Sequence, residues 1–210
     1  MNIFKKILIL IFFFGIINFI NADIVDKLLE SNYVEIIRPY ASNAYVGTLI
    51  VKNNKLNILF ESEGLHPTIM AYKINSDRIH LIIKSRPIEN SRNINSIFYP
   101  EYYEITLYIE NDKIKYSCYL IGSPYLIIDG YIFNKGIIIE ENVNIRTKPG
   151  LDGEIFCKIN KGYLAKIIAI NNNYENVARM IDYWLEINIE EKNYWVFGYY
   201  VDFLQEITLK

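Results

Sequence analysis

Apolar and polar positions alternate with a period of two along most of this chain, the pattern of strands that bury one face. Short polar turns separate the alternating runs. Residues 48–51 and 56–60 flank Asn53-Asn54, and residues 69–74 and 78–83 flank Asn75-Ser76-Asp77. Residues 103–109 and 114–120 flank Asn111-Asp112, while 125–128 and 131–133 flank Asp129-Gly130, the strongest hairpin signal in the chain. The stretch from Asp23 to Glu30 departs from this rule. There Ile24, Val25, Leu28 and Leu29 fall at helical spacing, with Asp23 or Asp26 to serve the N-terminal end. Four successive hairpins predict an antiparallel β-meander over residues 23–136, built as a sandwich or an up-and-down barrel. Segment 85–100, with Arg86-Pro87, Arg92 and Tyr99-Pro100, reads as a long loop interrupting it.

The pattern resumes after Asn134-Lys135-Gly136, where the domain boundary is placed. Val143 and Ile145 alternate with Asn144 and Arg146, and Pro149-Gly150 supplies turn chemistry. Ile155, Cys157 and Ile159 mark a second strand, Lys161-Gly162 a turn, and residues 164–170 a third, more continuously apolar strand. Asn171-Asn172-Asn173 reads as a loop. Trp184 and Glu186 share one strand face while Leu185 and Ile187 share the other, and Asn193 opens a last strand around Trp195 and Val196. Five short strands in this span predict a small closed or nearly closed barrel.

The pieces Val143-Asn144-Ile145-Arg146-Thr147-Lys148-Pro149-Gly150, Lys161-Gly162, Trp184-Leu185-Glu186-Ile187 and Trp195-Val196-Phe197-Gly198-Tyr199-Tyr200-Val201 together resemble a bacterial SH3-like (SH3b) domain over residues 137–206. The resemblance implies a binding module for cell-wall or peptide ligands, with no chemistry of its own and no cofactor. It implies a groove lined by Tyr200, with Tyr163 and Tyr174 in loops beside it. By parity, Trp184 joins Tyr200 on a shelf that could stack on a peptide backbone or on the apolar face of a sugar. The chain departs from the family at Tyr194, where Gly usually precedes Trp-Val, and at Phe197, where a small, polar or Pro residue is common. The connection between Ala169 and Trp184 is also longer than usual.

Residues 1–22 stand apart. Lys5 and Lys6 precede an apolar run from Ile7 to Ile17, and Asn21-Ala22 stand just before Asp23. This is the layout of a secretory signal peptide, with an uncleaved N-terminal anchor as the other reading. Either predicts an exported protein, periplasmic, cell-envelope or secreted, touching a membrane only through an uncleaved leader. No later stretch approaches the ~20 apolar residues that span a bilayer.

Charge narrows the partners. Lys and Arg number 22 against 24 Asp and Glu, with no basic run. Nucleic acid and acidic lipid call for clustered cations, so neither is expected. The 18 tyrosines favour recognition instead, since Tyr offers a rigid apolar face and a hydroxyl.

Catalytic signals are sparse. A nucleophilic pair drawn from Cys118 or Cys157 and His66 or His80 lacks a turn-borne setting: His66 precedes a proline in an expected loop, and His80 and Cys118 sit mid-strand. Zinc would need paired short spacings that are missing. Export permits a Cys118–Cys157 disulfide, but two separately buried thiols are the default expectation. Glu61 with Glu63, and Glu101 with Glu104, read as same-face carboxylate pairs of the kind glycan hydrolysis uses, although solvated edges are the favoured account. The sequence therefore predicts an all-β exported protein that recognises cell-wall peptide or glycan, or an envelope protein. A wall hydrolase working in residues 23–136 and a carrier of an apolar ligand are the alternatives.

Overall fold

The computed structural model describes residues 23–31, 33–37, 45–59, 65–87, 100–121 and 129–209. The leader, the 125–128 run, Glu61 and Glu63, and residues 88–99 of the expected loop lie outside them. Among the described residues, apart from one helix, α1 (Ile24–Ser31), and a 3-10 turn (Gly198–Tyr200), the regular structure is antiparallel β.

The chain runs through β1 (Tyr33–Ile37), β2 (Tyr45–Lys52) and β3 (Lys55–Leu59), then β4 (Leu65–Ile74), β5 (Arg78–Pro87), β6 (Glu101–Glu110) and β7 (Lys113–Ile121). The β2–β3 and β6–β7 hairpins turn at Asn53-Asn54 (φ 53° and 59°) and Asn111-Asp112 (φ 51° and 60°). A two-residue hairpin loop that matches strand twist needs positive φ at both positions, and Asn and Asp tolerate it best after Gly. Short β8 (Ile132–Phe133) then pairs with β4.

After Gly136 come β9 (Gly136–Ile138), β10 (Val143–Arg146), β11 (Ile155–Ile159), β12 (Leu164–Val177), β13 (Met180–Ile189), β14 (Lys192–Phe197), the 3-10 turn, β15 (Val201–Phe203) and β16 (Glu206–Thr208). Three sheets result. Their strand orders are β1-β2-β3-β16, β7-β6-β5-β4-β8 and β11-β10-β14-β13-β12-β9-β15. The last stays open, with β11 and β15 at its edges, so of the closed or nearly closed barrel expected here the closed form is not the one adopted.

The five-stranded sheet lies between the other two layers. One face carries Ile69, Ile79, Leu81, Ile83, Ile105 and Leu107, packed with Leu49, Leu56 and Ile58 of the four-stranded sheet and with Ile24, Val25 and Leu28 of α1. This part is a filled sandwich, which settles the sandwich-or-barrel alternative. The opposite face contributes Met70, Ala71, Ile82 and Tyr102 to a second core with Ile145, Ile167, Leu185, Ile187 and Val196. Leu81-Ile82-Ile83 thus reads as a continuous apolar run because that strand is buried on both sides. Segments before and after Gly136 share this second core. In addition, β16 returns to pair with β3, Ile207 opposite Leu56.

Several local expectations are corrected. His66 lies within β4, and residues 85–87 within β5, because the β4–β5 ladder continues from Ile74↔Ile79 to Leu65↔Pro87. Asn171-Asn172-Asn173 lies within β12 as an irregularity between Ile170↔Leu185 and Tyr174↔Tyr183, because the β12–β13 ladder resumes beyond the polar run instead of ending at it. The hairpin turns instead at Ala178-Arg179, both with positive φ. Cys118 and Cys157, by contrast, are separate free thiols, the default expectation. Burial raises the pKa of Cys157. Glu101 and Glu104 are three residues apart within β6, which puts them on opposite faces.

Candidate functional site

A groove of about 310 Å³ opens on the C-terminal sheet, between the residues leading into β10 and the strands β13 and β14. Trp184, Phe197, Val177 and Tyr200 give it an aromatic and aliphatic side, and Glu140, Glu141, Asn144 and Arg146 a polar one.

Trp184 sits on β13, opposite Phe197 of β14 in the ladder. It faces away from Leu185 and Ile187, the direction that parity predicts, and forms a separate small cluster with Phe197 and Tyr199. The cluster buries it: Trp184 is only 2% exposed. Its indole Nε1 donates to Glu175 Oε2 of β12 at 2.8 Å, which satisfies the one polar atom of the ring. Its ring lies 5.4 Å from that of Phe197 at a tilted angle. Trp184 is therefore the floor of the groove, not a free-standing shelf.

Tyr200 closes the 3-10 turn and is half-buried, with edge-to-face contacts to Phe197 at 6.0 Å and Tyr199 at 6.1 Å. Burial, and next the Glu140 carboxylate nearby, push its hydroxyl pKa above the ordinary tyrosine value. At neutral pH it is a hydrogen-bond donor held beside an acidic group. Arg146 is committed elsewhere: its Nη1 donates to Leu151 O at 3.0 Å and Gly153 O at 2.6 Å, bracing the β10–β11 connection. A Cβ at Gly153 would lie 2.4 Å from Lys148 O, so this connection folds tightly only with glycine there. The side-chain oxygen of Asn144 is buried with no hydrogen-bond partner.

The other two predicted residues lie elsewhere. Tyr163, 38% exposed, sits just before β12, outside the groove lining. Tyr174 belongs to β12, not to a loop, and its ring packs 4.8 Å from that of Tyr183 against the second core. The register shift before Tyr174 brings it opposite Tyr183. Sequence reasoning missed Glu140, Asn144 and Arg146 as groove residues; only their closeness to a predicted strand hinted at a shared surface.

Two other features bear on chemistry. A larger, more open cleft of about 590 Å³ runs between α1 and the β6–β7 hairpin, lined by Lys27, Glu30, Val34, Lys113, Lys115 and Tyr116. It lacks a row of aromatic faces. A polar cluster on the five-stranded sheet joins His80, Thr106, Glu104 and Tyr131: His80 Nδ1 is 3.0 Å from Thr106 Oγ1, and the Tyr131 hydroxyl donates to Glu104 at 3.0 Å. Burial first, then Glu104, raises the Tyr131 pKa well beyond neutral. Cys118 belongs to the opposite, apolar face of that sheet, paired with Ile105, so it does not meet His80. Among the described residues no His, Cys, Asp and Glu side chains gather to hold a metal ion. No described helix is long and apolar enough to cross a membrane.

Comparison with protein-family models, with curated proteins and with solved structures finds no match.

Proposed function

We propose that this is an exported, non-catalytic binding protein whose C-terminal sheet takes a cell-wall peptide or glycan strand in the Trp184–Tyr200 groove. The groove carries this reading: the half-buried Tyr200 ring, above a floor of buried Trp184 and Phe197, lies beside the exposed Glu140 and Glu141 and one unsatisfied amide oxygen. Aromatic faces stack on sugars and peptide planes, while polar groups at the rim fix direction. A ligand N–H reaching Asn144 would relieve an uncompensated acceptor, a cost of about 1–3 kcal/mol when left unmet. The SH3b-like reading gains support from the β12-β13-β14 meander, which passes through a 3-10 turn to β15 and back to β9.

Co-sedimentation with purified peptidoglycan tests the proposal. Tyr200→Ala should weaken binding at least tenfold while the far-ultraviolet circular dichroism stays as in wild type. Trp184→Phe keeps the buried ring and should bind within about threefold of wild type. Equal binding by wild type and Tyr200→Ala would remove the groove from the account. Wall material cleared in a zymogram, and no longer cleared after Glu104→Gln, would move the function to hydrolysis at the His80–Glu104 cluster.

A further inference from the structure

We infer that Lys84, on β5 of the N-terminal region, is a positioning residue of the groove, and that residues 23–136 serve as its built-in support. The inference rests on the groove reading above. Lys84 is 1% exposed, one of the largest fully buried side chains in the molecule. Its ammonium donates to Gly198 O at 2.6 Å and to Val201 O at 3.0 Å, and pairs with Asp182 Oδ2 at 2.8 Å. Three acceptor oxygens thus surround a group with three N–H donors.

Those acceptors bracket the groove. Gly198 opens the 3-10 turn and Val201 follows it, so the two carbonyls enclose Tyr199 and Tyr200. Asp182 lies two positions before Trp184 on β13. The carboxylate is fixed in turn: the Tyr183 N–H donates to its Oδ1 at 2.8 Å, and the Tyr102 hydroxyl of β6 donates to the same atom. A Cβ at Gly198 would sit 2.7 Å from Tyr183 O, so the turn lies directly against β13. One side chain from the central sheet therefore sets the distance between the strand bearing Trp184 and the turn bearing Tyr200. A flexible, solvated lysine could not do this. Buried, hydrogen-bonded to the two carbonyls and ion-paired with Asp182, this one holds a single geometry.

Hydrogen exchange of the full chain, read by mass spectrometry, tests this without reference to any ligand. In Lys84→Met, peptides covering 197–203 should exchange at least tenfold faster than in wild type, while the β6–β7 hairpin keeps its protection. Peptidoglycan co-sedimentation should fall by at least tenfold. Arg86→Met is the control. Made together with Asp202→Leu, so that no carboxylate is left buried within 197–203, it removes a second ion pair across the same interface, Arg86 Nη2 to Asp202 Oδ2 at 3.0 Å, and should leave peptides 197–203 within threefold of wild type. Unchanged exchange over 197–203 in Lys84→Met, or an equal rise in Arg86→Met/Asp202→Leu, overturns the inference. Should Lys84→Met fail to fold, Lys84→Met/Asp182→Leu removes both buried charges. Rapid exchange of 197–203 in that folded double variant supports positioning by Lys84, and full protection refutes it. If wild type ignores peptidoglycan, the functional proposal falls, and the exchange measurement alone decides the role of Lys84.

Discussion

Against α1 and the four-stranded sheet, the central sheet presents Ile79, Leu81, Ile83, Ile105 and Leu107; against the C-terminal sheet it presents Ile82 and Met70, but also Lys84 and Tyr102. Both faces are buried, and they do different work. The apolar face is non-directional: each fully buried aliphatic side chain contributes about 1.5–3 kcal/mol wherever it finds a filled neighbour. The mixed face adds direction, since a buried ammonium is tolerable only where its acceptors converge. Stability comes mainly from the first face and position from the second.

Breaking the mixed face should have the largest effect. Lys84→Met leaves Asp182 buried and unpaired, and should lower unfolding free energy by about 3–5 kcal/mol in urea titration. Lys84→Met/Asp182→Leu should recover most of that loss. If the double variant is no more stable than the single one, the ion pair is not what holds this interface. On the apolar face, Leu81→Ala should cost about 3 kcal/mol through a cavity, and no second substitution on the mixed face should compensate for it.

Tyr102→Phe removes one hydrogen bond to the Asp182 carboxylate and should cost about 2 kcal/mol at neutral pH. It should also change the response to alkali. Burial first, and then Asp182, hold the Tyr102 hydroxyl pKa well above the ordinary tyrosine value. A raised folded-state pKa gives stability that is complete below the unfolded value near ~10 and is lost as pH climbs toward the folded one. Urea midpoints between pH 8 and 11.5 should therefore fall more steeply in wild type than in Tyr102→Phe. Parallel curves would place the alkaline sensitivity elsewhere. The smallest effect concerns the hairpin that carries Asp182. Arg179 has φ 71°, which glycine adopts without steric penalty, so Arg179→Gly should raise stability by about 1 kcal/mol.

Where local chemistry decides structure, the sequence was informative. Asn53-Asn54 and Asn111-Asp112 mark their turns by residue type, and alternation alone gave the direction of Trp184. It gave direction but not depth: Phe197 and Tyr199, which cover that ring, arrive from later elements. Asn171 to Asn173 read as a loop because short-range polarity carries no trace of β13, whose ladder with β12 resumes beyond them at Tyr174 and so keeps them within one strand. Strands as short as β9 and β16 leave no periodicity to detect. Lys84 was the least visible of all. Within an alternating strand it looks like a solvated edge charge, and its carbonyl partner Gly198 lies 114 residues further along.

The return of β16 to β3 has a consequence for biogenesis. The four-stranded layer cannot be completed until residues 206–208 have emerged from the ribosome, because Ile207 supplies part of its interior. Completion of that layer is thereby postponed to the end of the segment, so its interior is sealed by the last strand to be made rather than hairpin by hairpin.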